Sequence, residues 1–274
     1  MIEQPVDNDI FRYIFGRYEV KITIEEEAKK YKQKILTEQY GFEDGPVAAR
    51  KKELDDPKEN TALIKKLARE LKADMVGISK VKKGYLFKGR ELEHKYAISI
   101  ALEMDYDRIQ ASPGPASATE VIRVYCVLGE ITIKIASNIR KLGYQAYAHH
   151  PRGSTKFPSR ILHIPTAIEA GFGELGRHGL LITAKYGPRV RLGTVTTNLP
   201  LTPNSPITFG AAKICEECNI CVNECEGDAI PEHRSLVRGV KKYVVDPYKC
   251  GPYFGEYDGC SVCMKVCAFN KAPK

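Results

Sequence analysis

Apolar residues recur at helical spacing over Leu63, Ile64, Leu67, Ala68 and Leu71, which predicts a helix with one buried face. Two short apolar runs follow, MVGIS at 75–79 and YAISIALEM at 96–104, and both read as buried strands. A longer helical stripe runs through Val121, Val124, Tyr125, Leu128, Ile131, Ile135, Ile139 and Leu142. Ser117 and Glu120 fit a capping box at its start, and Gly143 stops it. The stretch before it, DYDRIQASPGPA, is expected to be loop, because Pro113, Gly114 and Pro115 oppose regular structure. YQAYAH (144–149), LLITA (180–184) and RVRLGTVTTN (189–198) predict three more strands, with a short helix ahead of the glycine-rich AGFGELGRHG (170–179). Tyr186-Gly187-Pro188 turns the chain into the last of these. Helices alternating with strands predict a sheet flanked by helices.

The pattern divides the chain into three parts. Residues 1–58 form a charged N-terminal extension, with a helical IEEEAKKYKQKIL segment and a turn-rich FEDGPVAARKKELDDPKEN stretch. Residues 59–200 form the core domain, and residues 201–274 a cysteine domain, with LTPNSP (201–206) as the linker. The 274 residues are 43% hydrophobic and 28% charged, ordinary for a globular protein with one sizeable core and a small appendage. No apolar run approaches the roughly 18 residues of a membrane span, and the first 30 residues show no export signal. The expected location is therefore cytoplasmic, without a membrane partner. Lys plus Arg outnumber Asp plus Glu by 42 to 34, for a formal charge of +8. The basic residues alternate with acids, so a solvated surface is favoured over a nucleic-acid face.

The cysteines change the picture. Eight of the nine lie after residue 214. A secreted disulfide scaffold would spread them through a small domain, whereas clustering in one tail points to metal. The runs are Cys215-x2-Cys218-x2-Cys221-x3-Cys225 and Cys250-x9-Cys260-x2-Cys263-x3-Cys267. Two such runs mark a ferredoxin-like fold with two [4Fe–4S] clusters, in which the last cysteine of each run serves the other cluster. Cys215, Cys218, Cys221 and Cys267 are thereby assigned to one cluster, and Cys250, Cys260, Cys263 and Cys225 to the second. Zinc would use tetrahedral CxxC pairs and leave one cysteine of each run without a task. Glu226 and Ala268 stand where proline usually follows the fourth cysteine. A carboxylate beside the cluster is expected to lower its potential. Two clusters form a relay, so the core in front must hold what receives the electrons. GFGELG (171–176) has the letters of a dinucleotide fingerprint but precedes a strand, so that reading is weak.

The order of segments resembles the cobalamin-dependent reductive dehalogenase family and its relative, epoxyqueuosine reductase. The likeness rests on LIKKLARELKADMVGISKV, ALEMDYDRIQASP, VYCVLGEITIKIASNIRKLGYQAYAHHP, GELGRHGLLITAKYGPRVRLGTVTTNLPLTP and both cysteine runs, roughly residues 60–271. It implies an α+β protein in which a nitroreductase-like α/β corrinoid-binding core precedes the two-cluster domain. It implies cobalamin as cofactor beside the two [4Fe–4S] clusters, a low-potential donor (ferredoxin or flavodoxin) and a small-molecule substrate. Carried over residue by residue, it gives Tyr125 as proton donor, Arg177 as its basic partner and Gln145 as a substrate-contacting amide. It further places Tyr186, Gly187, Pro188 and Arg189 at the corrinoid. Each has a plainer reading: core packing for Tyr125, a structural ion pair for Arg177, a surface strand residue for Gln145. His149 and His150 read as a polar loop rather than cobalt ligands, and Cys126 as a buried inert thiol. The resulting function is a corrinoid-dependent iron–sulfur reductase. Two alternatives stay open: a corrinoid-binding electron carrier, and an epoxyqueuosine reductase that acts on tRNA.

Overall fold

A computed structural model describes residues 19–153 and 160–273. The first 18 residues of the expected extension lie outside them. The remainder of the extension forms α1 (Glu26–Lys34), whose last turns loosen into a π-helical segment at Ile35–Gln39. α2 (Pro57–Glu70) begins where the Asp56 carboxylate accepts from the Lys58 and Glu59 amides, with Pro57 at its first position. β1 (Met75–Lys80) and β2 (Tyr96–Glu103) follow as the apolar runs predict.

The expected loop after β2 is partly helical: α3 (Tyr106–Gln110) is capped by the Asp105 carboxylate, which accepts from the Arg108 amide. The 27-residue α4 (Pro115–Lys141) starts three residues earlier than the capping box requires. Pro115 at the first helical position places Ser117 too deep to cap, and its hydroxyl donates to the Gly114 carbonyl instead. Glu120 accepts from the Asp105 amide and pairs with Arg123, both at 2.7 Å. β3 (Ala146–His149), α5 (His163–Glu169), the hairpin β4 (Gly173–Leu175) and β5 (Leu181–Thr183), and β6 (Val190–Thr197) complete the core.

Four strands form one antiparallel sheet in the order β1-β2-β6-β3. Register sorts their side chains to two faces. Ile78, Ile98, Val195 and Ala148 lie side by side across it, all fully buried, and face α4 and α2. At about 1.5–3 kcal/mol for each large aliphatic side chain removed from water, this row anchors α4 firmly on the sheet. The opposite face carries Ala101 and Leu192 against α5 and the β4–β5 hairpin. Helices thus cover both faces, and α1 lies on the outer side of α4 through Ala28, Ile35, Ile122 and Cys126. The expected linker runs past β1 in extended form, where the Asn204 amide donates to the Ile78 carbonyl and the Asn204 side chain accepts from the Ile78 amide.

The cysteine segment holds α6 (Ala211–Glu217), α7 (Ile220–Asn223), a hairpin of β7 (Ser235–Val237) and β8 (Val240–Lys242), α8 (Pro247–Glu256) and α9 (Val262–Lys265). α8 repeats the Asp-Pro start of α2, with Asp246 accepting from the Tyr248 and Lys249 amides. Among the described residues, no helix is long and apolar enough to cross a membrane.

The second sheet face also buries histidines. The Thr196 hydroxyl meets His149 Nε2 at 2.9 Å and His94 Nδ1 at 2.8 Å, and Thr194 meets His163 Nδ1 at 2.8 Å. His150 instead reaches Gln39 Oε1 at 2.8 Å, so the two adjacent histidines are core residues rather than a polar loop. Burial pushes His163 down to about 4 and His150 to about 3, and holds His149 well below the usual imidazole range, with His163, His94 and Arg160 lowering it further. The unfolded chain takes up these protons near pH 6.5, while the folded chain takes them up only under much stronger acid. Stability is therefore complete above pH 6.5 and falls with acidification, by at most about 1.4 kcal/mol per histidine per pH unit. A loss of at least ~2 kcal/mol between pH 7 and 5 is expected, read from urea midpoints by circular dichroism. Equal midpoints would mean that protons reach the rings without unfolding.

Candidate active site and metal centres

The turn between α6 and α7, with the chain after α9, brings Cys215, Cys218, Cys221 and Cys267 around one small cavity of about 20 Å³. Ile214, Ile220, Phe269 and His178 complete its lining. Burial, then repulsion between neighbouring thiolates, pushes Cys221 up to about 12 and Cys267 to about 11. Cys225, Cys250, Cys260 and Cys263 make a second group. Burial raises Cys250 to about 11, with Cys260 and Cys225 as its nearest charges, and Cys263 is raised further still. Cys221 is among the groups acting on Cys263, so the two sets approach each other there. Glu226 also raises Cys260.

Eight buried or half-buried thiols in two groups of four suit metal centres that take thiolate ligands, since the metal replaces the protons that burial otherwise holds in place. Among the described residues no three side chains come close enough to share a single metal ion.

Arg177 sits at the tip of the β4–β5 hairpin, almost fully buried, and is turned toward this centre. Its Nε donates to the Cys215 carbonyl at 2.9 Å, Nη2 to Glu216 at 2.9 Å and Nη1 to Glu232 at 2.7 Å, and its plane lies over the Tyr243 ring. The guanidinium thus ties α6 to the segment before β7 and places a positive charge beside Cys215 and Cys221.

Tyr125 stands elsewhere, on α4, where it packs against both the central core and the α1 cluster. The cation above its ring is Arg191 of β6, with Cζ 5.1 Å from the ring centroid. Arg191 Nε is buried without a partner. Tyr40, from the turn after the π-helical segment, lies near the same phenol and meets the His150 ring edge-on at 5.2 Å. Gln145 is exposed just ahead of β3, where its carbonyl accepts from Asn198. Because Ala146 pairs with Thr197, Gln145 lies about 20 Å along the sheet from Arg191, at some 3.3 Å per residue. Gln145 is thus well separated along the sheet from the Arg191–Tyr125 contact, and Arg177 is engaged with the cysteine segment.

Tyr186–Arg189 form the joint between core and cysteine segment. Tyr186 is buried among Ala167, Phe172 and Leu181. Gly187 has φ +56°, and a Cβ there would lie 2.1 Å from the Phe269 carbonyl oxygen, so only glycine fits. Arg189 Nη1 donates to Glu103 and to the Met104 carbonyl, both at 2.7 Å, and Nη2 to the Lys271 carbonyl at 3.2 Å. An open groove of about 360 Å³ runs along Pro113, Glu224, Cys225, Glu226 and Lys265. That is within the range of a small-ligand cleft, about 300–1,000 Å³.

No family model matches the chain. It is 38% identical over 191 residues to a tetrachloroethene reductive dehalogenase of Desulfitobacterium hafniense, covering 65% of this chain and 33% of that protein. A solved reductive dehalogenase, described as suggesting a mechanism for B12-dependent dehalogenation, superposes with a TM-score of 0.77 at 28% identity, over 89% of this chain and 37% of the other. The chain is a relative of the reductive dehalogenases. It spans about a third of the length of that Desulfitobacterium hafniense protein. Epoxyqueuosine reductases are more distant: that of Listeria monocytogenes is 33% identical over 116 residues, 39% of this chain and 29% of that protein. A solved epoxyqueuosine reductase with a tRNA stem loop shares the mixed α/β fold alone, at a TM-score of 0.51 and 18% identity, over 78% of this chain and 66% of the other.

Within this reductive dehalogenase relative, sequence reasoning missed Arg191 and Tyr40. The signal for Arg191 was present in the alternation of RVRLGTV, which places Arg191 on the α4 face of β6, two residues before Gly193. Nothing local signals Tyr40.

Proposed function

We propose that the chain is an iron–sulfur reductase of the dehalogenase type, removing halide from a small organic molecule with Tyr125 as proton donor. The observation that carries the reading is the grouping of eight cysteines into two sets of four, in a chain whose core holds a phenol under an arginine. Cys215, Cys218, Cys221 and Cys267 would hold one [4Fe–4S] cluster, and Cys225, Cys250, Cys260 and Cys263 the other. When bound, the clusters and a corrinoid supply the two electrons of the net change, in which R–Cl, two electrons and one proton give R–H and chloride.

The chain's own residues divide the remaining work. The Tyr125 hydroxyl holds the proton that the carbon receives. The Arg191 guanidinium, fixed over the ring, places positive charge beside the phenolate left behind. Arg177 offsets the negative charge that accumulates at Cys215 and Cys221. The Arg189 clamp and Gly187 hold the cysteine segment against the core, which keeps the two sets of thiols at a fixed distance from Tyr125.

Anaerobic purification with added cobalamin tests the reading. About eight irons per chain are expected from two cubanes, together with one cobalt and chloride release from tetrachloroethene under a low-potential reductant. Full iron and cobalt without turnover would favour an electron carrier, and a colourless chain without acid-labile sulfide would end the proposal.

A further inference from the structure

His178 is 5% exposed and lines the cavity of Cys215, Cys218, Cys221 and Cys267. Its two nitrogens have different fates. Nδ1 accepts the Leu180 amide at 3.1 Å. An acceptor nitrogen carries no proton, so the neutral ring must carry its proton on Nε2. That Nε2–H is buried and has no partner among the described residues. A buried donor without an acceptor is rare and costs about 1–3 kcal/mol, which calls for a reason.

The surroundings show where the donor points. The Cε1 and Nδ1 edge faces Gly176, whose added Cβ would lie 2.6 Å from Cε1 and 3.0 Å from Nδ1. The Leu180 amide holds the same edge. Nε2, the ring's remaining polar atom, is the one left for the cavity that His178 lines. The remaining lining is thiol and hydrocarbon: Ile214, Ile220 and Phe269 offer no acceptor from their side chains. The Arg177 side chain, one residue earlier, is already committed to carbonyl oxygens.

We infer that His178 is a hydrogen-bond donor built to meet a sulfur of the cluster held by Cys215, Cys218, Cys221 and Cys267, and that it sets that cluster's potential above its partner's. The inference rests on the cluster assignment proposed above. A donor aimed at sulfur stabilises the reduced cluster more than the oxidised one, because the reduced cluster carries one more negative charge. His178 thus acts through the cluster and is a positioning residue, not a catalytic one. The backbone fixes the proton on Nε2, so the ring tunes the centre without exchanging a proton with it.

The experiment is a potentiometric titration of the holoprotein followed by paramagnetic resonance. His178→Leu should shift one of the two clusters to lower potential by about 59 mV, a tenfold change in its reduced-to-oxidised ratio at fixed potential, and leave the other in place. His178→Gln, which keeps an N–H, should recover most of that shift. In the unaltered protein, proton hyperfine spectra of the reduced cluster should lose one strong coupling after exchange into deuterium oxide; this readout remains valid should H178L fail to fold. Both clusters present at unaltered potentials in H178L, or no exchangeable coupling in the parent, would overturn the inference. Absence of four irons from the parent protein would instead overturn the cluster assignment.

Discussion

Replacing Cys267 by alanine is expected to remove four of eight irons, and the cluster lost should be the one that Cys215, Cys218 and Cys221 serve. Cys267 belongs by sequence to the run with Cys250, Cys260 and Cys263. In space it closes the other group: it lines the cavity with Cys215, Cys218 and Cys221, and its strongest thiol neighbours are Cys215 and Cys218. Cys225→Ala should do the converse. Cys225 stands with Cys250, Cys260 and Cys263, where its sulfur accepts the Ala229 amide at 3.4 Å. Iron analysis gives the count, and His178 identifies the survivor. In C225A the remaining cluster should respond to H178L, because His178 lines its cavity. In C267A it should not. A surviving cluster in C267A that still shifts with H178L would show that each run serves its own cluster.

Tyr125→Phe is expected to reduce chloride release by about 10²–10⁴-fold, the usual contribution of a positioned proton donor, with iron content and thermal stability unchanged. The ring stays, so packing against the α1 cluster and the cation above it persist; only the hydroxyl is lost. Arg191→Met should lower turnover in the same direction with KM little altered, because the charge acts when the phenolate forms. Arg177→Met discriminates between the two arginines. It strips the donors from the Cys215, Glu216 and Glu232 carbonyls, and should destabilise the chain by about 3–5 kcal/mol and lower iron occupancy. A folded, iron-replete R177M with the turnover of Y125F would return Arg177 to the role of proton-donor partner. Turnover in Y125F equal to that of the parent would remove Tyr125 from the chemistry.

The residues of the chain fixed its elements more fully than its site. The stripe from Val121 to Leu142 needs only the 3.6-residue period to announce a helix, and the runs at 75–79 and 96–104 need only their apolar, β-branched content. These are short-range effects, decided by sterics and by which side of an element must leave water. The two cysteine runs were equally plain, since the spacing of ligands around a loop is a local matter. Local rules failed where distant groups compete for one side chain. Glu120 was free to cap α4, but the Asp105 amide and Arg123 take it. DYDRIQ had the letters of a loop, yet Asp105 caps a turn of helix there.

The site depended on register and on contacts between segments far apart in the chain. A strand's alternation states that Arg191 and Arg189 share a face, but pairing with β2 and the approach of α4 decide that Arg191 meets Tyr125. Arg189 turns instead to Glu103 and the Lys271 carbonyl. Gln145 and Tyr125 are twenty residues apart in sequence, yet the run of β3 along β6 carries Gln145 to the far end of the sheet. Arg177 and His178 are neighbours in a glycine-rich turn, and only the docking of α6 against that turn gives one to backbone carbonyls and the other to the cavity. The sequence by itself determined which segments are helix or strand and that eight thiols are set out as metal ligands, because both follow from near neighbours along the chain. Which cation faces the phenol, and which donor faces the cysteines, was left to tertiary structure, because a buried charge or N–H goes to whatever acceptor the packed elements bring within about 3 Å.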